Sequence, residues 1–286
     1  MSVEKEYKKL KCSRKLLGRE NKNEDMQPIG KVINGNYILV VADGHGGTFT
    51  VNIIKSLSND ICDIASNIGI KEAMEFVQQK CEKIDDGAMI TIIKINMAIE
   101  EPTIELCWYG DSRAIIYNYN NDIVFQTDTH DLTLNDKLYT SDEILDMGFD
   151  VHCKNLRVIP TLDEDKFQLL KNNYFKKYNR SISTYGHVGN FGSCVIPPGY
   201  KLLNFEKGMK VVAGSDGLWD VIHPESDLIK STDNANDLAN IALKRWFGKY
   251  DYYDEYNNII AKGKRISNKP NDRDDISIVI ATNEYE

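Results

Sequence analysis

The sequence predicts an α+β protein with a core of antiparallel strands covered by helices, and two observations lead to this prediction. The first is a series of short apolar segments between residues 89 and 126, separated by turn sequences that leave no room for a crossover helix. The second is a pair of apolar stripes at helical spacing between residues 51 and 81, which follow directly after a buried strand. Together these patterns indicate a sheet-rich core with helices packed against it.

The central strand of this core is predicted at residues 38–42, an apolar run that ends at Asp43 and is followed by Gly44, His45 and two further glycines. An apolar run bounded by glycines is typical of a buried strand that ends in a turn. The sheet would then hold the Asp43 carboxylate at the strand end, and Gly44, which lacks a Cβ, would let its carbonyl approach a cation closely. The competing interpretation is a simple Asp-Gly hairpin turn.

The spacing of apolar residues predicts the other helices and strands of the first half of the chain. Helices are predicted over residues 51–65 and 73–81, and a turn between two earlier strands is predicted within residues 30–36. Because that turn would pair the preceding segment with the central strand, Glu24 and Asp25 are expected near Asp43. The meander strands are predicted at residues 89–97, 104–109, 114–119 and 123–126.

The second half begins with a polar, tyrosine-rich segment at residues 127–190, predicted to be a flap-like elaboration of the core with short helices at 141–147 and 163–178. A strand that ends at Asp216 follows, and helices are predicted at 226–230 and 235–247. An aromatic and asparagine-rich loop is predicted before the last strand, 276–281, which Asp274 precedes.

Composition excludes several classes of protein. The chain has 286 residues, of which 42% are apolar, and its 35 basic and 43 acidic residues give a net charge of -8, which opposes general attraction to nucleic acid or to an anionic membrane. Six cysteines without a C-x-x-C pair indicate neither a thiolate zinc site nor a disulfide framework, and they fit a reducing compartment. The sequence shows no apolar signal core and no apolar span. We expect a soluble monomer in the cytoplasm, with the nucleus as an alternative.

Four acids occupy equivalent positions at strand ends, namely Asp43, Asp111, Asp216 and Asp274. Carboxylates that gather without cations repel one another, so their convergence would imply a bound metal. Oxygen ligands without cysteine favour Mg²⁺ or Mn²⁺ over Zn²⁺. Two such ions can clamp a phosphoryl oxygen during in-line displacement, which predicts hydrolysis of a phosphate ester.

Four segments, taken in order, resemble the motif series of the metal-dependent type 2C Ser/Thr protein phosphatases (the PPM family). They are residues 41–47 (VADGHGG), 110–114 (GDSRA), 215–220 (SDGLWD) and 273–277 (RDDIS). The resemblance extends from about residue 18 to residue 281. It implies a single domain over residues 1–286, with two antiparallel sheets stacked face to face, helix pairs outside them, and a metal site at one edge of the sandwich.

The resemblance also implies a ligand set for two metal ions and a third, weaker one. Asp43 would bridge two ions, and the carbonyl of Gly44 would bind the second. Asp216 and Asp274 would complete the protein ligands of the first ion. Asp111 would hold the third ion together with Asp216.

By the same resemblance, Glu24 orients a metal-bound water and His45 protonates the leaving seryl or threonyl oxygen. A phosphate-binding arginine usually stands four residues before that glutamate, where this chain has Glu20, so Arg19, one residue earlier, is the candidate for this role. A shift of one residue reverses the direction of a side chain on a strand, so Arg19 reaches the site only if the backbone bulges locally. Asp275 replaces a common asparagine after the last metal ligand.

Three hypotheses follow. The leading one is an active Mg²⁺- or Mn²⁺-dependent phosphatase that acts on phosphoserine or phosphothreonine in a protein substrate. The second, motivated by Glu20, is a pseudophosphatase that keeps the fold as a binding module. The third keeps the metal-dependent hydrolysis and replaces the protein substrate with a small phosphorylated molecule.

Overall fold

The computed structural model describes residues 10–19, 23–84, 86–128, 188–189, 198–253, 257, 259–264 and 273–284. The strands within these residues are β1 (Lys11–Leu17), β2 (Ile29–Ile33), β3 (Asn36–His45), β4 (Gly87–Asn96), β5 (Thr103–Tyr109), β6 (Arg113–Tyr117), β7 (Ile123–Gln126), β8 (Val188–Gly189), β9 (Gly199–Asn204), β10 (Lys210–Gly214), β11 (Tyr250–Tyr253), β12 (Ile259–Lys264) and β13 (Ile276–Thr282). The helices are α1 (Phe49–Ser56), α2 (Ser58–Asn67), α3 (Ile70–Cys81), α4 (Asp216–Trp219), α5 (Asp227–Ser231) and α6 (Ala235–Phe247).

These strands form two main antiparallel sheets. One sheet has the order β1-β13-β10-β6-β7, and the other has the order β2-β3-β4-β5-β9, with β8 paired to the first residues of β4. The strands β11 and β12 form a separate antiparallel hairpin. The prediction of an α+β fold built on antiparallel sheets is therefore confirmed.

Three hydrophobic clusters show that the sheets and helices form four layers. One cluster joins α1, α2 and α3 to the β3-containing sheet, a second lies between the two sheets, and a third joins α4, α5 and α6 to the β13-containing sheet. Both sheets are consequently buried on two faces. The implied arrangement, a face-to-face β-sandwich with helices outside each sheet, is confirmed.

Burial on both faces explains the continuous apolar run of the central strand. Along β3, Val40 and Ala42 pack against the helices, whereas Leu39 and Val41 pack between the two sheets. A strand buried on both faces needs apolar residues at every position and shows no alternation with polar residues. Because side-chain direction alternates, Asp43 follows Val41 on the side of the strand that faces the second sheet.

The helical region differs from the prediction, because the expected helix over residues 51–65 consists of α1 and α2, which meet at Leu57. The amide of Leu57 donates to the carbonyl of Ile53, and the amide of Ile61 donates to the carbonyl of Leu57, both at 2.9 Å. The hydrogen bonds continue through the junction, so the apolar stripe stays in register, but Leu57 itself, with φ of -90° and ψ of 6°, interrupts the helix. Periodicity alone contains no sign of this interruption.

Turns end several strands more sharply than predicted. The turn expected within residues 30–36 consists of Asn34 and Gly35, which have φ of 50° and 79° and connect β2 directly to β3. An Asn-Gly pair with positive φ at both positions is the turn that suits a two-residue hairpin. The strand predicted at 114–119 ends at Tyr117, because the backbone of Asn118 turns to bond with Asp122.

Some strands were not predicted, and some predicted elements lie outside the described residues. The loop predicted after residue 247 contains the β11–β12 hairpin, and the basic segment near the N-terminus contributes β1 at the edge of a sheet. The helices predicted at 141–147 and 163–178 lie outside the described residues, as does most of the proposed flap at 127–190. None of the helices in the described part of the chain has the length and apolar character that a bilayer crossing requires.

The layer between the sheets provides a test of the packing. Leu106 is fully buried in the cluster between the sheets, whereas Leu202, on the neighbouring edge strand, is 51% exposed. Replacing Leu106 with alanine leaves a cavity, and we expect Leu106→Ala to lower the free energy of unfolding by about 2–5 kcal/mol. Leu202→Ala is the matched control, with an expected change within about 0.5 kcal/mol. Chemical denaturation of the two variants measures both values, and equal losses would contradict the assigned layers.

Candidate functional site

Three of the predicted acids meet at one edge of the β13-containing sheet. In this antiparallel sheet, Gly214 at the end of β10 is paired with Arg113 at the start of β6 and with Ile278 near the start of β13. The end of one antiparallel strand and the start of its neighbour lie at the same sheet edge. Asp216 follows β10, Asp111 precedes β6 and Asp274 precedes β13, so all three lie at this edge.

The second sheet brings Asp43 to the same place. Strand β3 ends with Asp43, Gly44 and His45. The segment that precedes β2, which contains Glu24, lies beside this end of β3. The amide of Gly44 donates to the carbonyl of Glu24 at 3.1 Å. A side chain at Gly44 would put its Cβ only 2.5 Å from that carbonyl, which explains why this position holds glycine. The expectation that Glu24 and Asp25 lie near Asp43 is therefore correct.

All of these side chains line one cavity of about 310 Å³. Its lining residues are Arg19, Glu24, Asp43, Gly44, His45, Gly46, Met89, Asp111, Asp216 and Asp274. Every residue that the sequence assigned to metal binding, phosphate binding or catalysis is in this set. The structure thus brings together side chains that are up to 255 positions apart in the chain, the separation of Arg19 and Asp274.

The electrostatics of the cavity are dominated by crowded acids. Burial raises the pKa of Asp43 well above its ordinary value, and the neighbouring carboxyls of Asp25 and Asp111 raise it further. Burial and the carboxyls of Asp43 and Asp274 likewise raise the pKa of Asp216. One carboxylate oxygen of Asp216, Oδ1, is buried and has no hydrogen-bond partner among the described residues. Such a group is costly unless a cation or a proton satisfies it.

Arg19 offsets part of this negative charge. Its guanidinium lies 3.0 Å from Glu24, 3.4 Å from Asp274 and 3.3 Å from Asp275. Burial opposes its charge, but Asp274 and Asp275 more than compensate and raise the pKa of Arg19. Arg19 follows Gly18, beyond the end of β1, so the alternation of a strand does not govern its direction and it reaches the cavity. Glu20 lies outside the described residues.

Asp275 fastens the segment that carries Arg19 and Glu24. Its side chain is fully buried, with Oδ1 accepting the amide of Arg19 and Oδ2 accepting the amide of Glu24, each at 2.6 Å. Arg273 strengthens the same connection by donating to the carbonyls of Leu17 and Gly18 at 2.9 and 2.7 Å. The extra charge of Asp275 is therefore directed at backbone amides and Arg19, and not into the cavity.

Asp25 is a buried residue that the sequence analysis did not assign to the site. Its carboxyl accepts a hydrogen bond from Ser215 Oγ at 2.7 Å and lies within hydrogen-bonding reach of the carboxyl of Asp43. Burial and the nearby Asp216 raise the pKa of Asp25 well above its ordinary value. The sequence places Asp25 near Asp43, but it does not show that Asp25 is buried alongside Glu24 or that Ser215 donates to it.

Asp86 holds the loop that follows His45. Its buried carboxylate accepts the amides of Phe49 and Thr50 at 2.7 and 2.8 Å, and the hydroxyl of Thr50 also donates to it. The next residue, Gly87, is paired with His45 across β3 and β4. The carboxylate thus caps the start of α1 and closes the glycine loop against the neighbouring strand. Only a turn-like position at the start of β4 marks this residue in the sequence.

A further polar group surrounds Asp220, at the end of the second Asp-Gly motif. Tyr252 Oη donates to its carboxylate at 2.7 Å, and burial raises the pKa of Asp220 to about 7. Nearby, Arg113 lies 5.6 Å over the ring of Trp219 and donates to Asn257 at 2.6 Å. The β11–β12 hairpin, with Asn257 between its strands, is therefore fixed beside the part of the site that contains Asp111.

Comparison with known proteins identifies the fold. No protein-family description and no curated protein matches the chain. Among solved structures, it is similar to the photosystem II phosphatase PBCP (TM-score 0.59, 15% identity, 96% of this chain and 98% of that one). It is also similar to RsbX in complex with magnesium (TM-score 0.51, 16% identity, 95% of this chain and 94% of that one). A third similar structure is the serine/threonine phosphatase of S. agalactiae (TM-score 0.52, 16% identity, 96% of this chain and 99% of that one).

The chain has the type 2C phosphatase fold. The similarity covers nearly the full length of both chains in all three cases, so it includes both sheets and the edge at which the acids meet. Identities of 15–16% show the fold alone. The chemistry of the site must be argued from its own residues.

The residues at this edge of the type 2C fold suit a hard divalent cation. The donors are carboxylate oxygens and a glycine carbonyl, the ligands that Mg²⁺ and Mn²⁺ prefer. The buried Oδ1 of Asp216, which has no hydrogen-bond partner among the described residues, is an oxygen that a cation would satisfy. As they stand, no group of three or more histidine, cysteine or acidic side chains in the described ranges is arranged to hold an ion.

Thermal unfolding tests whether the acids bind a cation. In chelator we expect Asp216→Asn to unfold at a higher temperature than the original protein, because the substitution removes one of several repelling buried charges. A saturating excess of Mn²⁺ should raise the midpoint of the original protein by about 5 °C or more, and that of the variant by much less.

Asp60→Asn, an exposed acid on α2, is the matched control and should respond to Mn²⁺ like the original protein. An equal response of Asp216→Asn and the original protein would contradict a cation site at these acids.

Proposed function

We propose that this protein is a Mg²⁺- or Mn²⁺-dependent phosphatase that hydrolyses phosphoserine and phosphothreonine in proteins. The observation that carries the proposal is the meeting of Asp43, Asp111, Asp216 and Asp274 in one open cavity. These acids come from both sheets and from four separate segments. A fold has no structural need for four mutually repelling carboxylates at one edge, so their meeting favours a role in binding cations.

Asp43, the carbonyl of Gly44, Asp216 and Asp274 would hold the ions, and Asp111 would add a weaker position beside Asp216. The ions would activate water as the nucleophile and offset the charge of the phosphoryl oxygens. Asp275 and Asp86 are positioning residues, because they hold the segments that carry Arg19, Glu24 and His45 through backbone amides.

The remaining cavity residues supply proton transfer and orientation. His45 is exposed at the end of β3, directly beside Gly44, and can protonate the oxygen of the departing serine or threonine. Glu24 is held by Arg19 and can orient the attacking water. Once cations offset the acids, the guanidinium of Arg19 is the group in this cavity that can pair with a phosphoryl oxygen.

A second candidate function is a pseudophosphatase that binds phosphoproteins without hydrolysing them. One observation favours it: Arg19 is engaged by three acids. The two functions differ in turnover by purified protein. A protein that binds a phosphopeptide and Mn²⁺ but releases no phosphate would be a pseudophosphatase.

Turnover is the first test of the proposed function. With Mn²⁺ present we expect release of phosphate from a phosphothreonine peptide, and we expect loss of activity in chelator. Asp43→Asn should lower kcat by about 100-fold or more, since it removes a ligand that both ions would share. Asp60→Asn is the control and should retain full activity. Hydrolysis that persists in chelator and in Asp43→Asn would refute the metal-dependent mechanism, and preferred hydrolysis of small phosphorylated metabolites would favour that substrate class.

The leaving group tests the role of His45. A threonyl alkoxide is a poor leaving group and needs a proton, whereas a nitrophenolate leaves readily without one. We therefore expect His45→Gln to lower kcat by about 10² for the phosphothreonine peptide, and by much less for p-nitrophenyl phosphate. Steady-state kinetics on the two substrates measure this difference. Equal losses on both would assign His45 to structure or to binding.

A further inference from the structure

A second cavity, of about 280 Å³, lies beside the segment that connects the candidate site to β2. It is formed by this segment, by β1 and by the junction of α1 and α2. Its lining residues are Arg14, Met26, Gln27, Pro28, Ile29, Gly30, Lys31, Lys55, Ser58 and Asn59. Three of these are cationic and none is acidic, which contrasts with the acidic first cavity and with the net charge of -8 of the chain.

Hydrogen bonds hold two of the three cationic side chains, Arg14 and Lys31. Arg14 lies across β2, and its guanidinium donates to the carbonyl of Pro28 at 3.1 Å. Lys31 donates to the side-chain oxygen of Asn59 at 3.3 Å, and it lies 3.6 Å from Asp63, an exposed carboxylate that offsets part of its charge. Lys55 is exposed in the last turn of α1. Three positive charges thus face one negative charge around a concave surface.

Ser58 and the amide group of Asn59 add neutral hydrogen-bond donors to the cavity. Cations and neutral donors suit a carboxylate ligand. The strongly acidic chain as a whole disfavours a polyanion such as nucleic acid, which would contact much more of the surface.

We propose that this cavity binds a run of Asp or Glu side chains in the phosphoprotein substrate, close to the phosphorylated residue. The inference rests on the proposed function, because it treats the first cavity as the place where the phosphoryl group is hydrolysed. The basic cavity would recognise the sequence around the phosphorylated residue, which the acidic first cavity does not contact. Electrostatic complementarity of this kind selects partners and speeds their encounter.

The chain that connects the two cavities limits the distance between them. Glu24 in the first cavity and Lys31 in the second are seven residues apart, so they lie at most about 24 Å from each other. An extended substrate therefore reaches the basic cavity with acidic residues within about seven positions of its phosphothreonine.

Peptide kinetics test the inference. Phosphothreonine peptides carry either glutamates or glutamines four to seven positions away from the phosphothreonine, and each kind is made with this run before or after it. On one of the two sides, we expect the original protein to have a kcat/KM about 10-fold higher for the glutamate peptide than for the glutamine peptide. The difference should lie mainly in KM. The double variant Lys31→Gln/Lys55→Gln should bring this ratio close to one, while kcat/KM for p-nitrophenyl phosphate stays unchanged.

Lys207→Gln/Lys249→Gln is the matched control, since it removes two exposed charges outside the cavity. It should keep the preference for the acidic peptide, and raised salt should weaken that preference. If both double variants lose the preference equally, the preference depends on the net charge of the protein and not on the cavity, and the inference is overturned. The absence of any preference in the original protein would overturn it as well.

A binding measurement separates this inference from the proposed function. Fluorescence anisotropy of the labelled peptides needs no turnover, and we expect the acidic peptide to bind about 10-fold more tightly than the glutamine peptide, a difference that Lys31→Gln/Lys55→Gln removes. If phosphate is never released but this difference is found, the docking inference stands and the proposed activity fails. If phosphate is released but both peptides bind equally, the docking inference fails alone.

Discussion

The repulsion among crowded carboxylates at one edge of the sandwich is the constraint on which the rest of the structure depends. Asp43 and Asp216 come from different sheets; Asp43 raises the pKa of Asp216, and Asp216 raises the pKa of Asp25. In the described part of the chain, the guanidinium of Arg19 offsets part of this charge. A cation would offset the charge more completely, which is why the edge suits a divalent metal.

A set of buried hydrogen bonds holds these acids in place despite their repulsion. Asp275 accepts two backbone amides of the segment that carries Arg19 and Glu24, and Ser215 connects Asp25 to the backbone of β13. These contacts join the two sheets at the edge where they would otherwise be pushed apart. The departure from the family pattern at Asp275 therefore has a structural consequence, since a carboxylate accepts both amides where an asparagine would offer one acceptor oxygen.

The two cavities make the surface of the protein electrostatically uneven. One cavity collects acids for cations, and the other collects Arg14, Lys31 and Lys55 within a short distance along the chain. Both are connected to the segment between β1 and β2, which supplies Arg19 and Glu24 to the first cavity and residues 26–28 to the second. On the proposed function, a single segment would link phosphate hydrolysis to recognition of the surrounding sequence.

The sequence by itself determined the α+β class, the central strands of the two sheets and the acids at their ends. The spacing of apolar residues and the positions of glycines are local properties of the sequence. Because β3 is buried on two faces, its residues form a continuous apolar run that can be recognised without a structure. Only the tertiary structure decided that the predicted helix is interrupted at Leu57, that Asp25 points inward, and that Arg19 reaches the cavity past the end of β1. These outcomes depend on contacts between residues distant in the chain, such as Asp275 with Arg19 and Ser215 with Asp25, and no local pattern records them.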